Sequence, residues 1–166
     1  MSSQYTVASI CLVWFVLSLC LVGAYRYQPA VYYLSDHCED SSVTSLAKDV
    51  RLLMNRFPDT RLQYNWRCAM IFKTEPGNRL QVTYRNLNTT WSTGCVHNSV
   101  KIFDTITQRG LNGKNGDCGV HPLNTTYSSY EYMITVMVET DNYTQYGQFD
   151  ILVTSFQTSS NGEQIV

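Results

Sequence analysis

Three kinds of side chain in this sequence could carry chemistry: imidazoles, carboxylates and thiols. The histidines are His37, His97 and His121. A zinc site needs them to converge with carboxylates or thiolates, and neither H-E-x-x-H nor H-x-H spacing occurs. Glu75, Asp104 and Glu139 could be imagined as general acids or bases. They read instead as isolated acids on turns and strand ends, where carboxylates are usually solvated. There is no G-x-S-x-G nucleophile turn and no C-x-x-C pair, so neither a zinc knuckle nor a thioredoxin-type redox motif is available. The expectation is no catalytic residue, no cofactor and no enzyme. A second kind of chemistry is better marked. Asn88-Thr89-Thr90, Asn124-Thr125-Thr126 and Asn142-Tyr143-Thr144 are N-glycosylation acceptor triplets without a central proline.

The elements around these residues begin with an apolar leader. Val7 to Val22 carries no charge and is interrupted only by Ser9 and Ser18; Val22-Gly23-Ala24 ends it in small residues. This pattern predicts a signal peptide, residues 1–24, cut after Ala24. The run is shorter than the ~20 residues a membrane span needs. The expectation is a secreted, extracellular chain with no span after cleavage. All 12 Lys+Arg and 13 Asp+Glu follow the cut, for a net charge of −1. Such a balance gives no long-range attraction to nucleic acid or anionic membrane. Of six cysteines, Cys38, Cys68, Cys95 and Cys118 remain. An even number in an oxidising compartment implies two disulfides, with three pairings open.

The remaining chain is long enough for one domain, and its pattern is mostly strands. Cys68-Ala69-Met70-Ile71-Phe72 is a short apolar run. Leu80, Val82 and Tyr84 alternate onto one face, after a turn at Glu75-Pro76-Gly77-Asn78. Val100, Ile102 and, beyond Asp104, Ile106 are assigned to one face. Tyr132 to Val138 and Phe149 to Phe156 are the last two strands, with turn clusters at residues 110–116 and 141–147. Such spacing predicts an all-β, antiparallel sandwich. One segment reads differently. Val43, Leu46, Ala47, Val50, Leu53, Met54 and Phe57 fall near helical spacing, with Thr44-Ser45 able to cap and Pro58 to stop, so a short helix is predicted near residues 43–56.

The order of several weak motifs resembles a CUB domain, an extracellular β-sandwich module. Arg56-Phe57-Pro58-Asp59 is similar to the aromatic-Pro element of that family. Cys68-Ala69-Met70-Ile71-Phe72 is similar to its C-x-W-x-I strand, with Met70 in the tryptophan position. Cys95-x-x-Asn98-x-Val100-x-Ile102-x-Asp104 is similar to C-x-x-D-x-L-x-I-x-D-G. Asp117-Cys118-Gly119, Ser128-Ser129 and Gly147-Gln148-Phe149 complete the series. The resemblance implies a CUB-like jelly roll over residues 38–156, which leaves an N-terminal extension at 25–37; the polar composition of residues 157–166 predicts a flexible tail. It also implies the sequential disulfide pairing, Cys38–Cys68 and Cys95–Cys118.

The resemblance further implies where a calcium ion would sit. Many CUB domains hold one through a Glu, the Asp of C-x-x-D and a later Asp. Here Asn98 replaces the second, no acid occurs between Glu75 and Asp104, Thr90 lies about where the glutamate belongs, and only Asp141 matches. Calcium takes six to eight oxygens with affinity set by ligand charge, so Asn98 and Asp141 are read as vestigial positions and no metal is expected. The predicted function is a non-enzymatic extracellular binding module for protein or glycan partners, on the plan of the single-domain spermadhesins. A structural component of an extracellular or mineralised matrix is the alternative, and a secreted hydrolase a weaker third. Among 12 tyrosines, Tyr143, Tyr146, Tyr127 and Tyr130 are candidate partner contacts, because tyrosine pairs an apolar body with a polar tip. They are equally ordinary strand formers.

Overall fold

The computed structural model describes residues 28–38, 43–46, 49–56, 61–142, 145–158 and 164–165. Residues 1–24, where a signal peptide is predicted, the Arg56-to-Asp59 element beyond Arg56, and Tyr143 lie outside them.

Eleven strands are described: β1 (Ala30–Tyr33), β2 (Val43–Ser45), β3 (Val50–Leu53), β4 (Arg61–Leu62), β5 (Arg67–Lys73), β6 (Asn78–Thr89), β7 (Asn98–Asp104), β8 (Thr126–Ser128), β9 (Met133–Thr140), β10 (Gln145–Thr158) and β11 (Gln164–Ile165). They form two sheets. One runs β1-β3-β10-β6-β8, with β4 and β11 also pairing on β10; the other runs β2-β5-β9-β7. The β1–β3 and β2–β5 pairs are parallel and the rest antiparallel. The inward faces make one core from both sheets, including Phe72, Ile134 and Val136 from one and Leu80, Tyr84 and Ile151 from the other. Burial of side chains of this size stabilises by roughly 1.5–3 kcal/mol each. This is the all-β sandwich that the strand spacing predicts.

The long β6–β10 ladder explains how the core stays continuous. Leu80, Val82 and Tyr84 are buried at a period of two, and the next buried residue is Leu87, at a period of three. The register against β10 shifts there: Ile151 faces Tyr84 while Asp150 faces Asn86. Arg85 is the extra residue of a bulge, which resets the alternation so that Leu87 and Thr89 also point inward.

Among the described residues of 43–56, the predicted helix is not formed. That segment supplies β2 and β3. Leu46, Val50, Leu52 and Met54 are buried, the last three at every second position, with Leu53 only partly covered. That is a period of two, completed by Leu52, which stands outside the helical pattern. The decision is made by partners distant in sequence: β3 fits between β1 and β10, and β2 lies along β5. Ile106 also departs from its predicted face. Val100, Ile102 and Asp104 point inward, the chain turns at Asp104, and Ile106 is exposed.

Two disulfides join Cys38 to Cys68 and Cys95 to Cys118. The first ties the end of the β1 segment to β5. The packed body extends ahead of Cys38, since Ala30–Tyr33 is in the sheet and Leu34 is fully buried. The edge strand β7 is closed off by the following loop. Val100 bridges Asp117, Phe103 bridges Gly110, and the Ile102 N–H donates to Asn112 Oδ1 at 2.9 Å. Covering an edge in this way removes a template for strand addition.

Candidate functional site

A groove of about 490 Å³ opens where the start of β5, the start of β7 and the end of β9 meet. Strand alternation builds its floor. Arg67 lies opposite Glu139 and Ser99 lies opposite Glu139 on the other side, so three strands contribute to one row, with Ser99 covered. Glu139 Oε1 is 3.2 Å from Arg67 Nε, and Lys101 Nζ donates to Glu139 Oε2. The Arg67 stem is further held by a contact of Nε with Met137 Sδ at 3.2 Å.

The rim is made by three loops stitched through their backbones. The Asp141 N–H donates to His97 O at 2.9 Å, and the Asn65 N–H donates to Asp141 O at 2.8 Å. The Thr140 N–H donates to Trp66 O, while Thr140 Oγ1 donates to Gln63 O and accepts from the Trp66 N–H at 2.9 Å. His97 Nδ1 lies 2.6 Å from Asp141 Oδ2. The groove therefore presents cations, carboxylates, an imidazole and amides of both polarities. It suits a polar ligand read by hydrogen bonds more than an apolar one.

Calcium does not fit the donors here. Asn98 uses its Nδ2 to donate to the Thr90 carbonyl at 2.8 Å, which turns the replaced ligand toward the loop backbone. The Asp141 carboxylate is engaged with His97. Among the described residues, no group of three or more His, Cys, Asp or Glu side chains could hold a metal. A hard divalent ion would meet a single carboxylate where its affinity depends on several. The loop contacts that an ion would supply come instead from the backbone bonds and the His97–Asp141 contact.

The other residues singled out in the sequence do not converge. His37 packs against Tyr32 with ring centroids 5.7 Å apart, and His121 lies beside Tyr84 and 3.7 Å from Asp117. Glu75 is exposed on its turn while Asp104 is fully buried. The four described cysteines are all in disulfides and offer no nucleophile. Tyr130 is exposed with the Arg109 guanidinium 4.7 Å from its ring. Tyr127 is half-buried and donates its hydroxyl inward to Asp117 Oδ2 at 2.9 Å, so that hydroxyl serves the domain itself. Tyr146 pairs with Arg61 through β10 and β4.

Two buried carboxylates position the loops, and the sequence marks neither as a hub. Asp104 accepts from the N–H groups of Ile106, Thr107, Tyr130 and Glu131 and from the Thr107 hydroxyl. Asp117 Oδ2 accepts from the hydroxyls of Tyr84 and Tyr127 and from Asn112 Nδ2. Burial, then the Asp117 charge and hydrogen bond, push the Tyr84 hydroxyl far above its ordinary range. Burial and the bond to Asp117 raise Tyr127 in the same way. Gly116, with φ of +74°, lets the segment reach β7: a Cβ there would lie 2.6 Å from Val100 O. A D-C-G triplet in sequence gives no sign of this, because the partners are 33 and 10 residues away.

No protein-family model and no curated protein matches the chain. Solved structures do. The CUB1-EGF-CUB2 region of human MASP-1/3 superposes with a TM-score of 0.59 at 14% identity, covering 71% of this chain and 42% of that one. A MASP-1 CUB2 domain bound to Ca2+ gives 0.51 at 11% identity, over 66% of this chain and 95% of that one. The fold is CUB-like. The full extracellular region of zebrafish Gpr126/Adgrg6 gives 0.57 at 16% identity, over 69% of this chain and 14% of that one. This chain thus spans less than half of the two longer proteins. All three neighbours are described as CUB or extracellular regions. Among the described residues, no helix is long and apolar enough to cross a membrane.

Proposed function

We propose that this chain is an exported, N-glycosylated, non-enzymatic CUB-like module that binds an extracellular protein or glycan through the groove between β5, β7 and β9. The observation that carries this reading is the groove itself. Its walls are covalently and backbone-braced, and its floor is a row of charged side chains of both signs. Arg67 is the natural anchor. Its side chain is 71% exposed, and a guanidinium offers a planar fork to a carboxylate, sulfate or carbonyl. Trp66, packed against the core at the rim, is the nearby aromatic. Export by cleavage after Ala24 and glycans on Asn88, Asn124 and Asn142 belong to the same reading; all three asparagines are exposed.

The test is expression in a secretory eukaryotic host, followed by probing the purified protein against a glycan array and a panel of purified extracellular proteins. The reading expects the chain in the medium, beginning at Tyr25. It also expects a binding signal that Arg67→Glu abolishes and Tyr130→Ala leaves intact. Retention inside the cell, or binding indifferent to Arg67→Glu, would overturn it.

A further inference from the structure

Three exposed apolar side chains lie in or against one short segment that runs beside β6. Val120 is 78% exposed, Leu123 is 68% exposed, and Trp91, at 71%, rests on Gly119. A Cβ at Gly119 would come within 2.9 Å of the Trp91 ring, which shows how closely the two pack. Apolar residues exposed singly are ordinary, whereas a contiguous apolar patch marks a site of interaction or association.

The pairing of this segment identifies what could cover it. Val120 bridges Asn88 in antiparallel fashion. The Thr89 N–H donates to Gly119 O, and the His121 N–H donates to Leu87 O. Bonds placed on both flanks make Asn88 and Val120 a non-hydrogen-bonded pair. In such pairs Cα atoms approach to ~4.5 Å and the side chains are closest. Thr89 is buried beside them, so the alternation turns Asn88 and Val120 outward together. Asn88 is the acceptor of the first sequon, and Leu123 immediately precedes Asn124, the acceptor of the second. A covalently attached sugar at Asn88 therefore starts within side-chain contact of Val120, the most exposed of the three. N-acetylglucosamine has C–H-rich surfaces and an acetyl methyl group, and can lie on such a residue while its hydroxyls face water.

We propose that the N-linked glycan on Asn88 is a built-in cover for Val120 and the apolar segment next to it, so that this face is closed to self-association. The proposal rests on the export reading, since only an exported chain is glycosylated. It assigns the Asn88 sugar a role that the Asn142 sugar, at the groove end beside Asp141, does not share.

The experiment uses the full chain expressed in a secretory host. Thr90→Ala destroys the sequon without touching Asn88, Thr90→Ser keeps it, and Asn142→Gln removes the distant glycan. Peptide mass spectrometry reads occupancy. A hydrophobic dye and concentration-dependent elution read exposure of the face. The expected result is occupied Asn88, with higher dye fluorescence and earlier elution at high concentration for Thr90→Ala only. Adding Val120→Thr to Thr90→Ala should reverse both shifts. Secreted protein with Asn88 unmodified overturns the proposal and leaves the export reading standing. So does an occupied Asn88 whose loss changes neither readout, or a change that Val120→Thr does not reverse. A chain that never leaves the cell overturns both.

Discussion

Asp104→Asn changes one oxygen of a buried side chain into an NH2 group. Asp104 is fully buried and its two oxygens serve separate loops: Oδ1 takes Ile106, Thr107 and the Thr107 hydroxyl, and Oδ2 takes Tyr130 and Glu131 at 2.9 and 2.8 Å. An amide can replace the first oxygen, but its nitrogen then faces two backbone N–H groups with nothing to accept. Each donor that loses its carboxylate acceptor costs ~1–3 kcal/mol, so the pair should cost about 2–6 kcal/mol. That is a large part of the roughly 5–15 kcal/mol typical of a domain. At about 4 °C per kcal/mol for a chain of this size, Tm should fall by about 8–24 °C at neutral pH. Acid supplies the second arm. Burial opposes ionisation of Asp104, but the N–H groups of Thr107, Glu131 and Tyr130 and the Thr107 hydroxyl outweigh it and hold the carboxyl below its usual range. A carboxyl with a depressed folded pKa contributes stability above its unfolded value, about 3.9, and loses it as pH falls through the folded one. The Tm gap between wild type and Asp104→Asn should therefore narrow as the buffer is taken from about pH 5 to about pH 2. Differential scanning calorimetry with the disulfides intact measures both arms. A neutral-pH gap under about 4 °C, or one that does not move with acid, would refute the view that this carboxylate braces the two loops.

Adding calcium or a chelator should leave Tm unchanged, because Asn98 and Asp141 offer one carboxylate between them; a rise with millimolar-scale calcium, roughly the affinity of the weakest extracellular sites, would contradict that. Gly116→Ala should destabilise strongly or prevent folding, since its Cβ would meet Val100 O at 2.6 Å in a left-handed backbone; chemical denaturation of any folded product gives the cost. In a spectrophotometric titration, Tyr84 and Tyr127 should stay protonated past pH ~10, where exposed tyrosines ionise. Their raised values mean that the stability they contribute is present below the unfolded pKa and lost as pH rises above it, so both should ionise only with alkaline unfolding. Full ionisation of the folded protein near pH ~10 would argue against the buried Asp117 network.

Much of the sandwich is legible in the sequence because strand patterns are local. The alternation of Leu80, Val82 and Tyr84 needs no partner to be seen, and neither does the turn at Glu75–Asn78. The paucity of acid around Asn98 is likewise a matter of composition at matched positions. The segment from Val43 to Phe57 shows the limit. Its apolar residues satisfy two periods at once over a short window, and only the β1–β3–β10 and β2–β5 pairings choose between them. The same limit applies to side-chain direction. Tyr127 and Tyr130 look alike in sequence, yet one hydroxyl is turned onto Asp117 and the other ring lies outside under Arg109.

The sequence by itself determined the strand-rich character, the cysteine and sequon positions, and the missing carboxylates, since each depends on residue type and near neighbours. Tertiary structure alone decided that Asp104 and Asp117 are hubs, that Arg67, Lys101 and Glu139 share a floor, and that Asn88 stands opposite Val120. Those facts follow from sheet register, which is set by contacts between residues tens of positions apart and leaves no mark at any one of them.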